Sequence, residues 1–410
     1  MMKFDTIIIG GGLSGMTCAI AQAQKGKRVA VIAAGQSNLH FHSGSFDLLG
    51  YQQGQPVSDP VAAIAALPES HPYHRLGNVE QLATQARQLL ADAGVGTRGD
   101  AHHNHFRLSP IGKLVPTWLT MEDMFTVGSA EELKGKKIGL VNIVGFLDFA
   151  VPYLSDTLRD MGAEVTVRSF TTPLLENARR SPSEMRATNI AKYLDDDSHV
   201  KEVADRLNSI TPRDCDLLLL PAILGIANDR AVKLLKESVK TPLRFVATIP
   251  PSVPGTRVQS LLRRRFQQLG GTLLPNDTVK GGGFENNRLK YICTEHLADT
   301  RLEANEFVLA TGSFLGGGLS SDYYSVRETV FGLDVELNGA ASHVDWTTDK
   351  LFDKQPYESF GVKADNRFRV SKDGTTIDNL YAIGSILSGN DPQHQADATG
   401  VDLLTALAVL

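Results

Sequence analysis

Residues 4–33, FDTIIIGGGLSGMTCAIAQAQKGKRVAVIA, leave few folds open to this chain. Thr6–Ile9 is a short β-branched run of the kind a buried parallel strand needs. Gly10, Gly12 and Gly15 then fill a G-x-G-x-x-G turn. The periodicity that follows predicts a helix over Leu13–Lys25, stopped by Gly26, and a second strand over Val29–Ala33. In such a turn the first glycine permits the tight bend. The second lets a phosphate approach the backbone, and the third lets helix and strand pack closely. The N–H groups and dipole of the helix N-terminus favour an anion. A lone glycine motif is weak evidence. Between a strand and a helix it predicts a phosphate-bearing cofactor held by Gly10, Gly11, Gly12, Leu13, Ser14 and Gly15.

The second strand of such a unit ordinarily ends on a carboxylate that holds the adenosine ribose. Here that position is Ala33, and the next residues, AGQSN, offer no cation for a 2′-phosphate. The unit is therefore equipped for a phosphate and poorly equipped for an adenosine ribose. That disfavours NAD and NADP and points to FMN, with FAD as the alternative held by backbone groups.

The net charge of −5 gives no reason to expect nucleic acid as a partner. Cys18, Cys215 and Cys293 lie far apart, so neither an iron–sulfur nor a zinc site is expected from this chain alone, and no disulfide framework. The N-terminus runs straight into the first strand and no apolar run reaches membrane-spanning length, which predicts a cytoplasmic protein.

The C-terminal part returns to the nucleotide fold. Val258, Leu261, Leu262, Phe266 and Leu269 recur at helical spacing until Gly270 and Gly271 stop them. ENNR (285–288) predicts a hairpin loop, EFVLATG a buried strand ending at Gly312, and NLYAIGS another ending at Gly384 and Ser385. ATGVDLLTALAVL predicts an apolar final helix. Between these parts, VEQLATQARQLLADAG is an amphipathic helix and residues 136–170 read as strand, helix, strand, without a second G-x-G-x-x-G. The expected organisation is therefore a flavin-binding domain in two parts, 1–70 and 246–410, interrupted by an inserted mixed α/β domain over 71–245.

Candidate chemistry outside the glycine turn is thin. His40 and His42 flank SGSF after the second strand and are weak catalytic candidates; Ser43, Gly44 and Ser45 are candidate cofactor contacts. The HHNH run at 102–105 lacks identifiable further ligands and reads as surface loop histidines, so no metal site is expected. Asp148 is expected to cap a helix. Arg327 is the nearest cation to these motifs.

The glycine turn, the mid-chain ATG strand and the C-terminal YAIG strand together resemble the flavoprotein superfamily with a glutathione-reductase-like, Rossmann-type α/β flavin-binding domain. LHFHSGSFDLLG, NIAKYLDDD, LLLLPAILGIANDR, TIPPSVPGTRVQ, LATGSFLGGGL and NLYAIGSILSGNDP, in that order along the whole chain, resemble the B subunit of anaerobic glycerol-3-phosphate dehydrogenase. The resemblance implies FMN and a capping role for the insert. It implies oxidation of sn-glycerol 3-phosphate to dihydroxyacetone phosphate with electrons passing to a quinone. It also implies an FAD-containing catalytic subunit and an iron–sulfur, membrane-anchoring subunit as partners, holding this chain to the cytoplasmic side of the inner membrane. A self-sufficient FAD oxidoreductase and a non-catalytic assembly subunit are the alternatives. The chain departs from the superfamily pattern at Ser385, where most members carry an aspartate that binds the ribityl chain, and in QADATGVDL, which replaces a glycine-rich run.

Overall fold

β1 (Met2–Ile9), α1 (Leu13–Gln24) and β2 (Val29–Ala33) open the chain, and Gly26 at φ +79° ends α1 as the sequence predicts. This is a computed structural model, and it describes residues 2–297 and 300–410. α2 (Val79–Asp92) follows, then β3 (Lys137–Ile143), α3 (Val151–Asp160), β4 (Glu164–Phe170), β5 (Leu217–Pro221) and β6 (Leu243–Val246). α4 (Val253–Gln268) leads back to β7 (Thr272–Pro275), β8 (Val279–Glu285), β9 (Arg288–Thr294) and β10 (Leu302–Leu309). β11 (Arg369–Lys372), β12 (Thr375–Ala382) and α5 (Ala398–Ala408) close the chain.

Contacts divide the chain into two compact units: residues 1–38, 47–94 and 262–410, and residues 39–46 and 95–261. The first unit is built on an eight-stranded sheet in the order β7-β2-β1-β10-β9-β8, with β12 beside β10 and β11 beside β12. β7, β2, β1, β10 and β12 run parallel, and β8 and β9 form an antiparallel branch. The ENNR hairpin forms as expected: Asn286 and Asn287 both take positive φ, the conformation a two-residue hairpin turn demands. Register is what positions the site. Ile9 stands opposite Leu309, and Leu309 opposite Ala382, so the loops after β1, β10 and β12 leave the sheet at one level. Ile7, Ile8, Val31, Phe307, Val308 and Leu380 are buried on this sheet, each contributing about 1.5–3 kcal/mol.

α1 packs against α5, and α2 lays Ala83, Ala86, Leu89 and Leu90 onto the same layer. That apolar stripe is why residues 79–92 group with the first unit, whereas the sequence assigned 71–94 to the insert. The second unit has its own four-stranded parallel sheet, β4-β3-β5-β6. Among the described residues no helix is long and apolar enough to cross a membrane.

Candidate functional site

The three motif glycines have different reasons to be glycine. Gly10 takes φ +120°, and a Cβ there would lie 2.1 Å from the Ala310 carbonyl oxygen. A Cβ on Gly15 would lie 2.0 Å from the Gly10 carbonyl oxygen. Both are required by packing alone. Gly12 is not: its φ is −79°, and the nearest atom to a Cβ would be Ser37 Cβ, 3.8 Å away. Among the described residues nothing forbids a side chain at Gly12, so the open space above it is what a close-approaching phosphate would need. No side chain caps α1, which leaves the N–H groups of its first turn available to such an anion. The residues present therefore fit a phosphate-bearing cofactor. Ala33, at the ribose position, is buried with its methyl against Gly11: a Cβ on Gly11 would stand 2.7 Å from Ala33 Cβ.

Three loops meet beside this turn. Gly384, at φ +72°, could carry no Cβ, because it would fall 2.4 Å from Asp402 Oδ1 and 2.6 Å from Ser14 Oγ. The Ser385 N–H donates to Asp402 Oδ1 at 3.2 Å, and the Gly384 N–H to Thr405 Oγ1 at 2.9 Å. A Cβ on Gly312 would lie 3.7 Å from Ser385 Oγ. The structure thus gathers Gly10–Gly15, Gly312, Gly384 and Ser385. It adds Asp402, which sequence reasoning misses. Burial pushes the Asp402 carboxyl up to about 7, against the lowering by the Ser385 N–H and the Ser14 hydroxyl, and Asp397 pushes it further up. A carboxyl of α5 thus stands against the Ser385 main chain.

α5 begins at a buried ionisable pair. His71 and Asp397 are both fully buried, with His71 Nε2 2.8 Å from Asp397 Oδ2. The Tyr73 N–H donates to His71 Nδ1, so the ring proton lies on Nε2 and is given to Asp397. The Thr399 hydroxyl and the Gly400 N–H bind the Asp47 carbonyl. QADATGVDL therefore has its own fastening in place of a glycine-rich run.

The remaining candidates belong to the second unit. His40 Nε2 is engaged by Gln259 Oε1 at 2.9 Å. His42 Nδ1 accepts the Gly44 N–H at 3.1 Å, which fixes the proton on Nε2, and that buried Nε2 has no partner among the described residues. Burial and then the Arg107 charge hold the His42 ring down to about 3. His42 is thus a neutral donor and not a general base. Ser43 Oγ accepts the Ser45 N–H, and Ser45 Oγ accepts the Thr120 hydroxyl at 3.0 Å. In the same unit Arg257, 1% exposed, pairs with Asp123 at 2.6 Å. The signal of this buried cation in TIPPSVPGTRVQ is a charge set among the apolar positions of α4.

Several expectations fall elsewhere. Asp148 does not cap α3, whose N-cap is Ala150; it binds Arg186 at 2.9 Å instead. Within HHNH, His103 meets Asp100 and His105 meets the Thr120 hydroxyl. Arg327 is exposed and paired with Asp322. Among the described residues one trio has metal-ligand character, Glu358, Asp391 and His394, and Lys354 already sits 2.6 Å from its Asp391.

A sheet whose parallel strands end level, an uncapped glycine turn and three converging loops define a nucleotide-cofactor-binding domain. A family described as "FAD binding domain" matches residues 5–401, and the chain carries that family's flavin-binding fold. That description gives no support to FMN as the favoured flavin. Over its full length the chain is 40% identical to the B subunit of anaerobic glycerol-3-phosphate dehydrogenase from Yersinia enterocolitica, covering 97% of it. It is 38% identical to the protein of the same name from Pectobacterium atrosepticum, covering 98% of it. A solved structure, 3-ketosteroid delta1-dehydrogenase from Sterolibacterium denitrificans, aligns over 100% of this chain and 99% of that one, at 10% identity and a TM-score of 0.42. The chain belongs to the family of anaerobic glycerol-3-phosphate dehydrogenase B subunits, a family of oxidoreductases.

Proposed function

We propose that the chain is the flavin-bearing subunit of a heteromeric dehydrogenase that oxidises sn-glycerol 3-phosphate to dihydroxyacetone phosphate, with a quinone as electron acceptor. It works beside an FAD-containing catalytic subunit and an iron–sulfur subunit that anchors the assembly, so it is peripheral to the cytoplasmic face of the inner membrane. The observation that carries the cofactor assignment is the unexplained space at Gly12 above an uncapped α1. The names of the curated relatives support the reaction.

When bound, the flavin supplies exchange of electrons in pairs or singly. The N–H groups of Leu13, Ser14 and Gly15 receive its phosphate, with Gly10, Gly11 and Gly12 clearing the way. Gly312, Gly384, Ser385 and Asp402 receive its hydroxyl-bearing chain. The second unit takes the capping role that the family resemblance implies. It carries Ser43, Gly44 and Ser45 as candidate cofactor contacts and His42 with its proton on Nε2. His40, already bonded to Gln259, orients that loop.

Ala33 supports FMN, since no carboxylate stands at the ribose position, whereas the family description supports FAD. The role is relay. Residues 10–15, 310–318 and 382–391 contain no Lys or Arg, and a phosphorylated alcohol needs cations to be held and a base to be oxidised. Two measurements test the assignment. Mass spectrometry of the released flavin is expected to give FMN; stoichiometric FAD from the chain made without its partners overturns that choice. Glycerol 3-phosphate is expected to bleach the flavin quickly only when the FAD-bearing subunit is added. Equal bleaching of the isolated chain would move the substrate site here, and a chain that stays colourless after reconstitution would overturn the cofactor assignment itself.

A further inference from the structure

Leu315, Tyr323, Tyr324, Val344, Leu351 and Phe352 of the first unit are 85%, 64%, 88%, 68%, 81% and 93% exposed. They lie in one neighbourhood. The Tyr323 ring stands 5.1 Å from that of Tyr324 and 4.0 Å from His343, and His343 stands 6.4 Å from Trp346. The Trp346 carbonyl accepts the Tyr357 N–H, and Tyr357 packs edge-on against Phe314, next to Leu315. Three largely exposed aromatic rings at ~150–200 Å² each already reach the size of the largest apolar patch on an ordinary monomer, and three aliphatic side chains extend it. That approaches the roughly 800 Å² that one partner contributes to a specific interface.

The display is built and not accidental. Gln355 is buried, and its side-chain amide bonds the Thr348 hydroxyl, the Thr348 N–H and the Lys350 and Asp353 carbonyls. Glu358 accepts the Gln355 N–H. This inner clamp fixes the turn at 348–355 so that Leu351 and Phe352 stand at its outer tip.

The charges around the patch say what covers it. Asp345, Asp349 and Asp353 are exposed there, while Arg327 is paired with Asp322 and Lys354 with Asp391, leaving Lys350. An acidic rim repels anionic headgroups. It also repels itself across a two-fold axis, where a second copy would present the same rim. It complements a protein surface with an apolar centre and basic margins. We infer that these six side chains dock a partner subunit of the complex, one with that surface. The inference rests on the multi-subunit function proposed above.

The chain is co-expressed with the other subunits of its complex and purified through a tag on this chain. Variants are Tyr324→Asp/Phe352→Asp and, as a control at two exposed apolar residues of the second unit, Leu147→Asp/Tyr153→Asp. Light scattering after size exclusion gives the assembly, and circular dichroism gives the fold. Wild type and control are expected to assemble, and the double variant to stay folded with roughly 100-fold weaker association. Hydrogen exchange on the wild-type complex, which needs no variant, is expected to show protection of 343–357 against the free chain. A complex that forms equally with the double variant, or leaves 343–357 unprotected, overturns the docking surface and leaves the proposed function standing. Failure of the wild-type chain to assemble with any of those subunits overturns both. Loss of a homodimer, or of binding to phosphatidylglycerol vesicles, in the double variant would name a different occupant and overturn the inference.

Discussion

Asp402→Asn is expected to stabilise the apoprotein at neutral and alkaline pH and leave it unchanged in acid. The carboxyl titrates at about 7 in the fold against 3.8 for the free side chain, so the native state holds a proton that the unfolded chain releases across that interval. The sign follows from linkage: a raised native value gives stability that is complete below the unfolded value and is lost as pH rises through the folded one. The loss runs at about 1.4 kcal/mol per pH unit between pH 4 and pH 7 and then stops, summing to roughly 4 kcal/mol. Asparagine keeps an oxygen to accept the Ser385 N–H and the Ser14 hydroxyl but has no charge to desolvate. Urea unfolding of both apoproteins from pH 4.5 to 8.5 should therefore give curves that diverge with pH and run parallel above pH 7. Curves parallel throughout would refute the claim that burial holds this carboxyl up, because the cost is tied to its ionisation and to nothing else in the comparison.

Three further outcomes follow from particular contacts. Gly12→Val should abolish flavin retention on gel filtration while shifting the apoprotein melting temperature little, since its nearest protein neighbour is 3.8 Å from the new Cβ; retention of flavin would place the phosphate elsewhere. Arg257→Met should destabilise the chain by ~3–5 kcal/mol in chemical unfolding by stranding Asp123, and Asp123→Leu on that background should recover most of the loss; additive losses would show that the pair is not coupled. Nitrogen NMR of labelled histidines should find His42 neutral and protonated at Nε2 down to pH 5, because burial holds it near 3; a midpoint near 6.5 would restore it as a candidate base.

What the sequence reveals of this chain is what short-range chemistry writes. The βαβ opening, the ENNR hairpin and α5 are legible because each is specified by neighbours within a few residues: a glycine where φ must be positive, two asparagines in a left-handed turn, an apolar period. α4 begins at Val253, five residues before the first periodic apolar position, because Pro254 and Gly255 mask a start that the Ser252 hydroxyl caps. Residues 79–92 read as part of the insert since amphipathicity says that a helix has a partner but not which one.

Ala33 and Asp402 mark the limit from opposite sides. An alanine in place of an acid is visible in one line of sequence, because the position is counted from Gly10 along a single motif. The carboxyl on α5 is not. Asp402 looks like one polar residue on an apolar helix, and its meaning depends on β10 setting β12 level with β1, so that Gly384 arrives beside Ser14. Once that register is known, the two substitutions can be weighed together. The end of β2 carries no charge at Ala33. Beside Ser385 a carboxyl comes from α5, where burial holds it half-protonated near pH 7. If the cofactor phosphate proposed for Gly12 is bound, its negative charge favours the protonated carboxyl further, and binding above pH 7 would take up a proton.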